Sequence, residues 1–304
     1  YVGKPPELGT GVFAMDTGAG SSTIPNFDSG FPVDFAFFKD IDTANTHWWT
    51  SARLMQGKNL RLDVDAAEGN AASSMLFDSN AGWYIDSDAG SDHQSWMFKR
   101  HAGMDCIAFK GDGVAGRQLP HSLNKTVEMA WVKNRGTQSW VVGHKGLDGG
   151  TNPWEKFMYL NLNWSEQDSS GVWNDSAPSS SHITLGDNAK SNGDGEDYIA
   201  MLFASVNGIS KCGYFDGQDS TITITTGFAP RFLIIKRITG PDGWLVFDTT
   251  RGWGSGNDYR LMLDSSTSQS APVDYGAPTS TGFTMTTRDA TNASGEKYIY
   301  YAHS

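Results

Sequence analysis

The sequence predicts an all-β protein made of three tandem antiparallel β-sandwich domains of the jelly-roll or lectin-like kind. A short apolar run that ends in lysine occurs three times: FAFFK ends at Lys39, MAWVK at Lys133 and FLIIK at Lys236. The runs recur at intervals of roughly a hundred residues, the size of a small domain. The composition favours short strands and tight turns, because 27 Asp outnumber 7 Glu and Gly contributes 35 residues.

These intervals divide the chain into residues 1–103, 104–207 and 208–304, which we call repeats 1, 2 and 3. Each repeat is predicted to open with a short strand, which starts at Tyr1, Cys106 or Cys212. The lysine-ended run follows as a strand at the centre of the sandwich, because it is apolar on both faces. Each repeat is expected to bury a core of its own.

Further strands follow in the same order in each repeat. The next one is centred on Trp140 in repeat 2 and on Trp244 in repeat 3, whereas repeat 1 has Trp48 and Trp49 there, slightly out of register. The last two strands are predicted at Trp83-Tyr84-Ile85 and Trp96-Met97-Phe98, at Ile183-Thr184-Leu185 and Ala200-Met201-Leu202, and at Phe283-Thr284-Met285 and Tyr300-Tyr301-Ala302. The sequence contains no convincing amphipathic helix.

Charge and hydropathy exclude two kinds of partner. The formal net charge is −11, and Lys and Arg form no cluster, so we expect no nucleic-acid binding. No apolar stretch approaches the length of a membrane helix, so we expect no membrane insertion. The chain opens with Tyr1-Val2-Gly3 and shows no signal peptide. Whether further residues precede Tyr1 in a longer chain is left open.

Repeat 3 carries a resemblance to a known family. Its string GFAPRFLIIK ends at Lys236, continues through WLVFDTTRG from Trp244 to Gly252, and reaches NASGEKYI from Asn292 to Ile299. It resembles a repeated β-sandwich domain of virion and tail-associated proteins of tailed bacteriophages, especially those of marine bacteria. Repeat 1 keeps part of this pattern, and repeat 2 departs most. The resemblance implies a structural or host-contact role and supplies no catalytic residues.

The strongest catalytic pattern is Asp16-Thr17-Gly18, followed by Asp28-Ser29-Gly30. Aspartic proteases pair two such aspartates, but they bring them from separate lobes or chains, whereas these motifs are close in sequence. A turn is therefore the better interpretation. Because no zinc pattern, nucleophile elbow or phosphate loop is present, the chain is predicted not to be an enzyme.

Two further patterns concern metals and thiols. Asp86, Asp88 and Asp92 place acidic side chains along one loop as some calcium loops do, but the bidentate Glu of an EF-hand loop is missing. No cofactor is predicted, and Ca²⁺ at these three residues is kept as the alternative.

The two cysteines, Cys106 and Cys212, occupy equivalent places in repeats 2 and 3. We therefore expect them to lie a domain length apart and to be two reduced, semi-buried thiols.

Tryptophan provides the candidate ligand site. Five tryptophans align with apolar residues of the other repeats and are predicted core: Trp83, Trp96, Trp131, Trp140 and Trp244. Four others lie among Asn, Asp, Ser and Gly in loops: Trp154, Trp164, Trp173 and Trp253, the last of these close to Asp258. A tryptophan face beside amide and carboxylate groups suits a sugar ring. The alternative is that these side chains pack at the sandwich ends or against another subunit.

The sequence therefore predicts a non-enzymatic structural protein of a bacteriophage particle, located on its tail or capsid surface. A tail-fibre or adhesin component that contacts the host surface is the leading hypothesis, with a host-surface glycan as a candidate ligand. The expected partners are other virion proteins and further copies of the chain. A capsid decoration or head-fibre protein, or a carbohydrate-binding module, is the alternative.

Overall fold

The computed structural model describes residues 4–20, 22–55, 57–86 and 89–304. Its strands occupy 39% of the chain and helices 5%, which confirms the predicted all-β class with antiparallel sheets. In this part of the chain the one α-helix is α1, Ser170–Trp173, and the 3-10 helices are Gly9–Gly11, Arg53–Met55 and Leu147–Gly150. The division into domains at the predicted boundaries stays a prediction.

Each repeat supplies one large and one small antiparallel sheet. Repeat 1 contains β1 Phe13–Thr17, β2 Phe27–Asp28, β3 Phe35–Asp40, β4 Trp49–Ala52, β5 Lys58–Arg61, β6 Gly69–Asn70, β7 Met75–Leu76, β8 Gly82–Ile85 and β9 His93–Phe98. Repeat 2 contains β10 Met104–Lys110, β11 Arg117–Pro120, β12 Met129–Asn134, β13 Val141–His144, β14 Lys156–Tyr159, β15 Gln167–Asp168, β16 His182–Leu185 and β17 Asp197–Phe203. Repeat 3 contains β18 Ser210–Asp216, β19 Ile222–Thr225, β20 Phe232–Arg237, β21 Leu245–Asp248, β22 Leu261–Met262, β23 Pro278–Thr279, β24 Gly282–Met285 and β25 Lys297–His303.

The large sheets share one strand order. It is β1-β9-β3-β4-β5-β6 in repeat 1, β10-β17-β12-β13-β14-β15 in repeat 2 and β18-β25-β20-β21-β22 in repeat 3. The lysine-ended runs form β3, β12 and β20, which lie inside their sheets with a neighbour on each side, as predicted. The small sheets are β2-β8-β7, β11-β16 and β19-β24-β23.

Two sequence predictions about repeat 1 need correction. The strand that pairs with β9, as β10 pairs with β17 and β18 with β25, is β1, and it begins at Phe13. The predicted start at Tyr1 lies outside the described residues. Trp48 is in register after all, because its carbonyl accepts a hydrogen bond from the Leu62 N–H just as the equivalent carbonyls of Trp140 and Trp244 accept one in their repeats.

The two faces of each large sheet pack against different partners. Side chains alternate between the faces of a strand, so Phe35 and Phe37 point one way from β3 while Ala36 and Phe38 point the other. Ala36 and Phe38 belong to the sandwich core of repeat 1, and corresponding residues of β12 and β20 belong to separate cores in repeats 2 and 3. Phe35 and Phe37 instead join a cluster that all three repeats share.

This shared core is present in addition to the separate core that each repeat buries. The ring of Phe13 in repeat 1 packs at a tilt against that of Phe232 in repeat 3 with centroids 5.1 Å apart, and the ring of Phe203 in repeat 2 lies 5.0 Å from that of Tyr301 in repeat 3. Phe35 meets Trp131 edge-on at 6.4 Å across repeats 1 and 2. All three pairs of repeats therefore pack together through their large sheets.

The cysteines also belong to the shared core. Cys106 and Cys212 are free thiols in the described chain, as expected, but they are fully buried rather than semi-buried. Both belong to the apolar cluster that the three repeats share. Burial raises the pKa of both thiols, which keeps them protonated.

Candidate functional site

The ends of the lysine runs lie where neighbouring repeats meet. Lys39 Nζ donates to the carbonyl of Thr46 at 2.6 Å within repeat 1 and to the carbonyl of Ser266 in repeat 3 at 3.4 Å. Lys236 Nζ donates to Arg237 O at 2.6 Å and to Asn163 O in repeat 2 at 3.4 Å. The lysines therefore connect repeats through main-chain oxygens.

Lys133 occupies the same position at the junction of repeats 1 and 2. Its Nζ donates to the carbonyls of Asn134 and Gly136. Burial lowers the pKa of Lys133 to about 8, and Asp65 and Glu68 of repeat 1 oppose this shift. Lys39 and Lys236 are equally buried, and burial lowers the pKa of each of them to about 8 as well.

Main-chain hydrogen bonds join the repeats two residues beyond each lysine. The amide of Glu68 in repeat 1 donates to Arg135 O in repeat 2 at 2.8 Å. The amide of Glu166 in repeat 2 donates to Ile238 O in repeat 3 at 2.9 Å. The amide of Gln269 in repeat 3 donates to Ile41 O in repeat 1 at 2.7 Å, so the series of contacts closes on itself.

Three equivalent tryptophans repeat this closed pattern below the lysines. Each indole Nε1 donates at 2.8 Å to a carbonyl of a neighbouring repeat: Trp48 to Met262, Trp140 to Arg61 and Trp244 to Tyr159. The sequence places Trp140 and Trp244 in the core correctly and does not assign Trp48 to it, and it does not indicate that the N–H groups point across a boundary. Their recurrence at one aligned position was the available signal.

A buried ion pair lies in the shared core at the boundary between repeats 3 and 1. Arg251 Nε donates to Asp248 Oδ2 at 2.7 Å, and both side chains are buried. Asp248 Oδ2 also accepts a hydrogen bond of 3.2 Å from the indole of Trp96 in repeat 1, whose ring lies 5.6 Å from the guanidinium of Arg251. The pair is thus tied to both repeats.

Three of the four candidate ligand tryptophans are buried. Trp154 and Trp173 meet edge-on at 5.5 Å in the sandwich core of repeat 2. Trp253 packs in the core of repeat 3 and donates from Nε1 to the carbonyl of Gly276 at 3.0 Å. Their ring faces are covered by protein, which matches the packing alternative rather than an open sugar-binding surface.

Asp258 and Trp164 have different surroundings. The carboxylate of Asp258 is buried and accepts hydrogen bonds of 3.0 Å from the amides of Gly254 and Tyr275, which fixes a loop. Trp164 is 50% exposed, and its ring meets Tyr159 edge-on at 5.5 Å. The structure thus leaves Trp164 as the exposed member of the predicted set and does not gather the set at one place.

The predicted cation loop does connect the last two strands of repeat 1. Asp86 directly follows β8 and is exposed, and Asp92 precedes β9 and lies 2.9 Å from Nδ1 of His93. Asp88 lies outside the described residues. Within the ranges that the structure describes, no group of three or more His, Cys, Asp or Glu side chains could hold a metal ion.

Asp16 is a strand residue and not part of a turn, which corrects the prediction. It lies in β1, and its Oδ2 accepts a hydrogen bond of 2.7 Å from the amide of Asp28 at the end of β2. Burial is the main cause that raises the pKa of Asp16. The contact links the large sheet of repeat 1 to its small sheet.

Residues 89–304, which are 216 of the 304 residues, match a family described as Domain of unknown function (DUF7483). The match covers more than half of the chain, so the chain belongs to this family. No curated protein matches it. In the described part of the chain, no helix has the length and apolar character needed to cross a membrane.

Proposed function

We propose that this member of the DUF7483 family is a non-enzymatic structural protein of a tailed-bacteriophage particle. Its leading role in this proposal is that of a tail-fibre or adhesin component that contacts the host surface. The phage assignment comes from the resemblance of repeat 3 to virion domains. The observation that carries the structural role is the closed series of hydrogen bonds between repeats at the ends of the lysine runs.

Buried ionisable groups support a structural role because they are used for cohesion. Lys39, Lys133 and Lys236 donate to main-chain carbonyls, and Asp248 and Arg251 neutralise each other inside the shared core. Charged groups that hold a framework together in this way favour a rigid body over a reactive cleft. Such a body suits a part that must bear load in a particle.

Two alternatives remain in the proposal. A capsid decoration or head-fibre protein has the same structural requirements and differs only in its place on the particle. A carbohydrate-binding module now depends on the exposed Trp164 and on the cavity described below, because Trp154, Trp173 and Trp253 are buried.

The test is to locate the protein on particles of the virus that encodes it. Purified particles are examined by mass spectrometry for this chain and then by electron microscopy with gold-labelled antibody fragments. Label on the fibres supports the leading role, and label on the capsid lattice supports the decoration role. Absence of the chain from washed particles, or hydrolysis of a polysaccharide by the isolated protein, contradicts the proposal.

A further inference from the structure

The three sandwiches differ at one equivalent place between their two sheets. The residue after the second-last strand donates its amide to a main-chain carbonyl in each repeat: Asp86 to Ser74 at 2.9 Å, Gly186 to Val172 at 3.0 Å and Thr286 to Tyr275 at 3.0 Å. Ser74, Val172 and Tyr275 therefore occupy the same position. Met75, Trp173 and Gly276 follow them at the next equivalent position.

Large side chains fill this place in repeats 2 and 3. In repeat 2 the fully buried Trp173 packs edge-on against Trp154. In repeat 3 the buried ring of Tyr275 lies 5.1 Å from Phe247, and the guanidinium of Arg260 lies 5.6 Å from its centre. In both repeats a buried aromatic side chain therefore occupies this place.

The same place in repeat 1 is open. Ser74 and Met75 are smaller than their counterparts Val172 and Trp173. Asn59 likewise occupies the position of the larger Phe157 in β14. This equivalence follows from the strand pairing, because Leu60 pairs with Thr50 as Met158 pairs with Val142. A cavity of about 330 Å³ results. This volume falls within the range of small-molecule sites, about 300–1,000 Å³.

The cavity is apolar inside and polar at its rim. Phe38, Trp49, Met75 and Ile85 provide the apolar lining, and Asn59, Ser74 and Asp86 provide the polar groups. Trp49 is half-buried, whereas Val141 and Leu245 at its equivalent positions are fully buried. The guanidinium of Arg61 lies 5.4 Å from the Trp49 ring centre and holds the indole on one side.

This combination suits a neutral ring with one apolar face and several hydroxyl groups. An aromatic ring packs against the C–H face of a sugar, while carboxylate, amide and hydroxyl groups bond its hydroxyls. The exposed Asp86 carboxylate accepts hydrogen bonds only, which matches hydroxyl donors. Asp86 is the charged residue of the lining and carries a negative charge, so the site disfavours an anionic ligand.

We propose that repeat 1 binds one neutral sugar ring in the cavity between Trp49 and Asp86. This ligand would supply the host-surface contact of the proposed function. The binding test uses the isolated full-length chain, however, so its failure leaves the assignment to a particle standing. Failure to find the chain on particles likewise leaves the binding result standing.

The experiment is saturation-transfer NMR on the full chain with a panel of neutral monosaccharides, including hexoses, N-acetylhexosamines and deoxyhexoses. We expect transfer to at least one sugar. Met75→Trp introduces the side chain that repeat 2 carries, and it should reduce affinity at least tenfold because it fills the cavity. Asp86→Asn keeps the shape and removes the charged acceptor, and it should reduce affinity severalfold.

Tyr259→Ala is the matched control, because it removes an exposed aromatic ring from another repeat and should leave binding unchanged. Thermal melting establishes that each variant is folded, and Asp86→Asn tests the site even if Met75→Trp fails to fold. The proposal is overturned if no sugar of the panel receives transfer. It is equally overturned if folded Met75→Trp and Asp86→Asn bind like the parent, or if Tyr259→Ala abolishes binding.

Discussion

The indole Nε1 of Trp140 donates a 2.8 Å hydrogen bond to the main-chain carbonyl of Arg61, across the boundary between repeats 2 and 1. Trp140 is fully buried, so the bond is shielded from water. The same bond occurs at the other two boundaries, from Trp48 and from Trp244. The repeats are therefore held together in part by indole N–H donors. A sequence analysis that counts tryptophan as an apolar residue does not reveal these donors.

Replacing Trp140 by Phe should destabilise the protein more than the smaller ring volume alone would. The change removes the donor and leaves a buried carbonyl without its partner, which costs about 1–3 kcal/mol. Urea unfolding measures the effect. Trp131→Phe is the control, because Trp131 is also buried in the shared core but its Nε1 has no hydrogen-bond partner in the described chain. Equal losses in the two variants would contradict the role of the bond.

Lys236 should make stability depend on pH in the alkaline range. Burial lowers its pKa from an ordinary value of 10.5 to about 8, so between these values the unfolded chain holds a proton that the folded chain has released. Stability due to this group therefore rises with pH across that window, by up to about 1.4 kcal/mol per pH unit. Below pH 8 the lysine is charged in both states.

Lys236→Met isolates this contribution from tyrosines and cysteines, which titrate in the same range and are present in both proteins. The parent's stability minus that of the variant should increase from pH 8 to pH 10, as measured by urea unfolding at each pH. A difference that stays constant or decreases over this range would show that the lysine keeps its ordinary pKa in the folded chain.

Removing one partner of the Asp248–Arg251 ion pair should lower the free energy of unfolding more than removing both partners. Asp248→Ala, which introduces the residue that repeat 1 carries as Ala52, leaves a buried guanidinium unpaired and should cost about 3–5 kcal/mol. Adding Arg251→Met should recover part of that loss. A double-mutant cycle in urea measures the coupling, and strictly additive losses would contradict it.

A fragment of residues 104–207 should not behave as an isolated compact monomer. Its large sheet would expose the face that carries Met129, Trp131 and Trp140, all buried against other repeats in the full chain. Exposed apolar surface of this kind drives association. Sedimentation velocity should detect oligomers, and dye binding should exceed that of the full chain. A monomeric fragment with a cooperative melting transition would show that the repeat is self-sufficient.

The sequence was a good guide to the strands but not to what their faces contact. FAFFK, MAWVK and FLIIK are apolar on both faces, and a sandwich alone explains such a pattern. The structure assigns Phe38 to the core of its own sandwich and Phe37 to the core between repeats. Alternation along a strand distinguishes two faces, but it does not reveal which neighbour covers each one.

The candidate ligand residues show a second limit. The sequence places Trp173 and Trp253 in polar loops as candidate ligand residues, because its alignment of the repeats does not match them with apolar residues. Both are buried in the sandwich cores of their repeats. Ser74 leaves the cavity of repeat 1 open because its side chain is small. A small polar residue in a loop matches no sequence motif, so the sequence does not predict the cavity. The cavity is recognised only when the equivalent residues of the three repeats are compared in the structure.

The closed arrangement of three related repeats in one chain has a consequence for valency. A ring of three identical subunits presents every surface feature three times, and a ligand on a host meets three equal sites. Here the repeats share a frame but have diverged, so the exposed Trp164 belongs to repeat 2 and the cavity beside Trp49 and Asp86 belongs to repeat 1. One molecule therefore offers each feature once, and any gain in avidity has to come from the number of molecules displayed together.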